Sequence, residues 1–269
     1  MPFLSIDDTT LNYDVVGNGP PMLFCSATAT HGDVWKIYQT SFFSRTHRVI
    51  TFDQRGTGQS RTGSEDFSTK RLATDAALLL AHLRAEPAVI CGHSNGGRVA
   101  QYLAVEHPEM VAKLVLMSSG GASGAQGIPF NLCKEMVALG YEPWVRDQAI
   151  RLGFTKDFVA ENPEALERFL AVRLASPPNL DTYLRHVLGR QAFNLGDRIK
   201  QIRAPTLVMV GEDEDHGPPG HLTHSAYAQF LAADIPNARF VMLKGQAHYY
   251  YYSDPQTTNE LIFDFIRAR

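Results

Sequence analysis

Val89-Ile90-Cys91-Gly92-His93-Ser94-Asn95-Gly96-Gly97-Arg98 decides how this chain is read. It holds the pattern G-x-S-x-G from Gly92 to Gly96, between a short apolar run and an amphipathic one. The apolar run predicts a buried parallel strand, and the stretch from Gly97 to His107 a helix. A serine between them sits on a tight, strained turn with its hydroxyl held out of the sheet. The flanking residues must be glycine, because a Cβ would clash where helix and strand approach. The turn aims the helix N-terminus and the Asn95 amide at the space beside Ser94 Oγ, which suits a developing oxyanion.

Outward from the turn, strands and helices alternate. Leu11 to Val16, Met22 to Cys25, His47 to Phe52, Ala88 to Cys91 and Lys113 to Ser118 read as strands, and Asn18-Gly19 as a turn. Thr69 to Leu83 reads as a helix with Leu72, Ala76, Leu79, Leu80 and Leu83 on one face. This rhythm predicts a mostly parallel sheet covered on both faces. From about Gly121 to Arg203 it gives way to short helices, over Pro129 to Leu139, Glu142 to Leu152, Pro163 to Ala175 and Asn179 to Leu188. That stretch is rich in exposed-looking apolar side chains such as Phe130, Trp144, Phe154, Phe158 and Phe169. The rhythm returns with strands over Pro205 to Gly211 and Arg239 to Leu243, and helices over Ser225 to Ala232 and Thr257 to Arg267. The expected organisation is therefore one core, residues 1–120 and 204–269, interrupted by a helical insertion, residues 121–203, of subdomain size.

Composition narrows the function. The chain has 269 residues, 44% hydrophobic and 20% charged, as in a soluble globular protein, and a formal net charge of −3. No basic run or aromatic–basic platform points to nucleic acid, and no apolar stretch approaches a membrane span. The start lacks the basic and apolar regions of a signal peptide. Cys25, Cys91 and Cys133 form neither a disulfide framework nor a zinc pattern, so a cytoplasmic location is expected.

A serine nucleophile needs a base within reach and an acid to orient that base. The base belongs on a loop after a strand, at the sheet edge that carries Ser94. His248 meets this requirement in Lys244-Gly245-Gln246-Ala247-His248, after the strand that ends at Leu243. The other histidines fit less well. His47 opens a strand, and His82, His107 and His186 sit in helices. His216, His221 and His224 are read as a solvated loop rather than a metal site, and His93 as pointing away from Ser94. His31 could line the pocket. The acid is sought in Glu212-Asp213-Glu214-Asp215, after the strand ending at Gly211. Tyr249 to Tyr252 form either a pocket wall or a packed aromatic cluster.

Taken together, the elbow, the D-x-R-G-x-G-x-S loop from Asp53 to Ser60, the late acid, His248 and Asp254-Pro255 resemble the α/β-hydrolase superfamily over essentially the whole chain. The resemblance implies an eight-stranded, mostly parallel sheet with helices on both faces and an inserted helical cap. It also implies a Ser94–His248–acid triad. The family's acid stands three residues after the strand's last glycine and four before a proline. Counting from Gly211 and from Pro218 gives Glu214 both times, with Asp213 and Asp215 as alternatives. A glutamate there resembles certain N-acyl-homoserine lactonases. The oxyanion loop has Ser26-Ala27-Thr28 where His-Gly is common, as in 3-oxoadipate enol-lactonases, and its donors are expected to be the Thr28 and Asn95 amides. Asp53 and Arg55 are expected to bridge loops, and Arg98 to be structural or to edge the pocket.

The resemblance implies hydrolysis of a small-molecule carboxylic ester or lactone through an acyl-enzyme, with no metal and no organic cofactor. The second reading is a carbon–carbon bond hydrolase acting on a β-diketone or vinylogous diketone. A third is a ligand-binding, receptor-like protein with slow turnover. The aromatic insertion favours an apolar or ring-bearing substrate part.

Overall fold

The computed structural model describes residues 2–63, 66–120, 128–213 and 223–268, with main chain only for 128–133. Among the described residues nine strands form one sheet: β1 (Phe3–Ile6), β2 (Thr9–Val16), β3 (Pro21–Cys25), β4 (Arg48–Phe52), β5 (Arg61–Thr62), β6 (Ala88–His93), β7 (Val111–Met117), β8 (Thr206–Gly211) and β9 (Ala238–Leu243). Eight follow the order β1-β2-β4-β3-β6-β7-β8-β9, and the two-residue β5 pairs beside β2. That short strand is the one addition to the eight expected. β1 and β2 run antiparallel at one edge, and every pairing from β4–β3 to β8–β9 is parallel.

The parallel strands are apolar on both faces, and successive side chains enter different layers, as the period of two requires. Ile90, Leu114, Leu116, Val208 and Val210 pack under α2 (Thr69–Leu83) and α3 (Asn95–Glu106). Val89, Cys91, Val115, Met117, Leu207 and Met209 pack on the other face with Trp35 and Phe43 and with Ile262 and Phe265.

Helix ends follow local chemistry. The Ser68 hydroxyl accepts from Arg71 N–H to start α2, and Arg84 ends it at φ 48°. Asp254 accepts from Thr257 N–H, and Pro255 occupies the first turn, where its missing N–H costs nothing. This is the physical reason for an Asp-Pro pair at that point.

Between β7 and β8 the described chain is helical throughout its ordered elements: α4 (Ile128–Leu139), α5 (Tyr141–Gln148), α6 (Lys156–Glu161), α7 (Pro163–Leu174) and α8 (Leu180–Gln191). With α1 (Gln39–Phe43), α9 (His224–Asp234), α10 (Tyr250–Ser253) and α11 (Pro255–Arg267) they complete the helices. Several differ from expectation. The helix expected over Glu142 to Leu152 loosens into a π turn at Ala149–Gly153. α6, capped by Thr155, was not expected. The aromatic side chains that look exposed in the sequence are largely buried: Trp144, Phe154 and Phe169 join the second apolar layer. The side chain of Phe130 lies outside the described residues.

Candidate active site

β6 runs on to His93, paired with Met117, and Ser94 N–H donates to Met117 O at 2.8 Å. The chain then turns at once into α3, with Ser94 at φ 54° and ψ −118°. A non-glycine residue held there is strained, and the surrounding contacts hold it. A Cβ on Gly92 would run into Gly96 O, and one on Gly96 into Cys25 O at the end of β3. The pentad therefore exists because strand, helix and oxyanion loop meet backbone to backbone.

The oxyanion loop is pinned from several sides. Trp35 Nε1 donates to Ser26 Oγ at 2.9 Å, and Gln54 Nε2 to Ser26 O at 2.9 Å. Arg190 Nη1, from the end of α8, donates to Thr28 Oγ1 at 3.1 Å. Thr28 and Asn95 are both buried, and neither backbone N–H has an acceptor among the described residues. The Asn95 amide follows the strained serine, and the Thr28 amide stands two residues beyond Ser26, whose carbonyl faces Gly96. The Asn95 carboxamide is also sealed and without a partner. Ser94 and His248 are half-buried, and the Ser94 hydroxyl has no hydrogen bond to a described residue. Nucleophile–base bonds in unliganded enzymes are often long and tighten with substrate.

His248 follows β9 on a loop stitched to the end of β8. Asp213 N–H donates to Gln246 O at 2.9 Å, and Gly245 N–H to Glu212 Oε2 at 3.0 Å. His93 Nε2 lies 3.0 Å from the His248 carbonyl; since a carbonyl only accepts, His93 carries its proton on Nε2. The two rings lie 4.5 Å apart between centroids. So the residue before Ser94 holds the main chain of the expected base. His93 does point into the protein, against Trp35 and Tyr251, and its positioning contact has no signature in the sequence. The Asp213 side chain is exposed and bonds no described ring. Glu214 and Asp215 lie outside the described residues, as do His216 and His221. His224 is exposed at the start of α9, with its ring 6.0 Å from that of His248.

The surrounding charges are mostly structural. Arg55 meets Asp75 bidentately at 2.7 and 2.8 Å, both buried. Asp53 accepts from Gly32 N–H and Gln59 N–H, and burial raises its carboxyl above the ordinary range. Arg98 donates to Arg190 O, closing the end of α8. Burial, with Arg190 beside it, brings the Arg98 guanidinium down to about 10. His31 is buried and bonds Val172 O in α7 at 2.8 Å rather than facing open space. Burial lowers it, and the charge of Arg173 lowers it further. The tyrosine run divides: Tyr250, Tyr251 and Tyr252 are buried, while Tyr249 is half-buried between Phe169 and His248, at 4.9 and 5.3 Å between centroids. Among the described residues no His/Cys/Asp/Glu group is arranged to hold a metal ion, and no helix is long and apolar enough to cross a membrane.

Three comparisons bear on this geometry. A protein named as a carbamate hydrolase, RutD, from Azorhizobium caulinodans is 30% identical over 98% of each chain. A 3-oxoadipate enol-lactonase from Acinetobacter baylyi is 27% identical over 96% of this chain and 94% of its own. The solved structure of Est816, described as an N-acyl homoserine lactone degrading enzyme, superposes with a TM-score of 0.80 at 30% identity, over 98% of this chain and all of its own. The model of the α/β hydrolase fold matches residues 20–255, and the chain belongs to that family.

Proposed function

We propose that the chain is a serine hydrolase that opens a carboxylic ester or lactone through an acyl-enzyme. The observation that carries this is the strained Ser94, with the unpartnered Asn95 amide next to it, the unpartnered Thr28 amide on the loop whose start meets Gly96, and the His248 loop bonded to the preceding residue. Ser94 Oγ attacks the carbonyl while His248 takes its proton, and the two amides hold the tetrahedral oxyanion. His248 then protonates the leaving alcohol. In a lactone that alcohol stays tethered to the acyl group. Water activated by His248 releases the acid. Glu214 is the favoured orienting acid and Asp215 the alternative, because the Asp213 side chain is exposed.

Two of the three relatives carry names that specify lactones, which supports lactone over simple ester. Residues 121–203 act as a cap on a core of residues 1–120 and 204–269. Contacts from Val172 to His31 and from Gly153 to Tyr249 tie the helical segment to both sides of the site.

The test is steady-state hydrolysis of p-nitrophenyl esters and γ-lactones by wild type and Ser94→Ala, with fluorophosphonate labelling read by mass. Turnover falling by a factor on the order of 10³ or more in the variant, with the label on Ser94, is expected. A wild type that binds these compounds without turning them over, and takes no label, would sink the hydrolase reading in favour of a receptor.

A further inference from the structure

Near the site lies a charge that the acyl-transfer chemistry does not use. Arg173, on α7, is 7% exposed. Its Nη1 donates to Tyr141 Oη at 3.0 Å and lies 3.5 Å from Ala29 O. No carboxylate pairs with it among the described residues; the groups coupled to its charge include the phenols of Tyr141, Tyr249, Tyr183 and Tyr251 and the imidazole of His31. A guanidinium stays protonated, so this is a fixed buried cation, and a buried cation is costly unless an anion meets it. Its Nε and Nη2 have no hydrogen-bond partner among the described residues, yet they are not among the sealed unpartnered atoms, so they keep some accessible surface.

The neighbours of Arg173 adjoin the reacting groups in the chain. Ala29 follows Thr28, and Tyr249 follows His248. Phe169, one turn before Arg173 on the same face of α7, packs against Tyr249. Trp144, in the same aromatic group as Tyr141 and Tyr183, has a buried indole N–H with no acceptor. A guanidinium fork with free N–H groups matches a carboxylate bidentately.

We propose that Arg173 forms an anion subsite beside Ser94, and that the substrate is an ester or lactone carrying a carboxylate a few bonds from the scissile carbonyl. This rests on the serine-hydrolase reading above. The carboxylate would be held between α7 and the oxyanion loop, drawing the carbonyl toward the Thr28 and Asn95 amides.

The experiment compares mono-p-nitrophenyl succinate, glutarate and adipate with uncharged p-nitrophenyl esters of matching chain length. Wild type is expected to favour one hemiester by roughly tenfold or more in kcat/KM. In Arg173→Gln that selectivity should fall by a factor on the order of 10 to 100, mainly through KM, and Arg173→Lys should restore part of it. The readout is the ratio, because a purely structural arginine would lower both substrate classes alike. Should Arg173→Gln not fold, inhibition of the wild type decides. Glutarate competing with the uncharged ester far better than its diamide supports the subsite, and equal inhibition overturns it. Turnover of uncharged esters without any preference for hemiesters overturns the subsite alone. Turnover of neither class, with Ser94 unlabelled, overturns the hydrolase reading and the subsite with it.

Discussion

At the scale of single residues, the elbow is governed by backbone proximity. Gly96 faces the carbonyls of Cys25 and Ser26, and neither can withdraw without moving β3 and the oxyanion loop. Gly96→Ala should therefore destabilise the fold by about 1–3 kcal/mol, read from urea denaturation. It should also lower kcat more than KM, because the displaced atoms are next to the Thr28 amide. Unchanged stability and rate would mean that the loop yields freely. The strained turn at Ser94 and its glycines were legible in the sequence because a fixed local spacing encodes them, whereas His248 was proposed from its place after the strand ending at Leu243. Arg173 and the His93–His248 bond were not, because each joins residues more than a hundred positions apart and no short pattern records such a meeting. Glu214 was reached by counting from Gly211 and Pro218, and lies outside the described residues.

At the scale of elements, helices of the insertion are fastened to core loops by buried histidines. His186 on α8 donates from Nε2 to Arg55 O at 3.0 Å and is wholly buried, which pushes its imidazole down to about 4. The folded protein holds it neutral, so the unfolded chain binds more protons between about pH 4 and 6.5, and stability falls as pH drops through that window. Between pH 7 and pH 5 this group should remove about 2 kcal/mol. His31 and His47, also lowered by burial, act in the same direction. Asp53 and Asp75, raised by burial, act in the opposite one. Denaturation of His186→Gln at both pH values isolates its share: the loss between them should shrink by about 2 kcal/mol, and an unchanged loss would refute the assignment. The elements themselves were mostly legible. α2 matches its expected bounds, since a clean apolar stripe marks it, and in the structure the Ser68 cap and a left-handed Arg84 close its ends. The misses fall where pattern is weak. β1 is a four-residue edge strand with little burial, and the break after Gln148 follows from a π turn that no residue announces.

At the scale of the molecule, the helical segment and one face of the sheet share an apolar layer. Trp35, against the sheet, and Trp144, on α5, are the chain's two tryptophans, and both lie in that layer. Denaturation followed by fluorescence in Trp35→Phe and in Trp144→Phe should give midpoints that coincide once each variant's own stability, measured by circular dichroism, is taken into account. A Trp144 signal lost well before the circular dichroism would show the insertion unfolding as a separate domain.

Tyr249 gives this shared layer a bearing on how such enzymes diverge. Its amide N–H is bonded to Gly153 O, its ring rests on Phe154 and Phe169, and it directly follows His248. The part of the chain that would choose the substrate and the part that would move the proton are thus joined at one peptide group. Helices grafted in from another member would meet a foreign tyrosine wall and pull on the histidine next to it. In this chain the helices that carry Gly153, Phe154 and Phe169 and the run Tyr249–Tyr252 are therefore expected to work as a matched pair, to be exchanged together rather than singly.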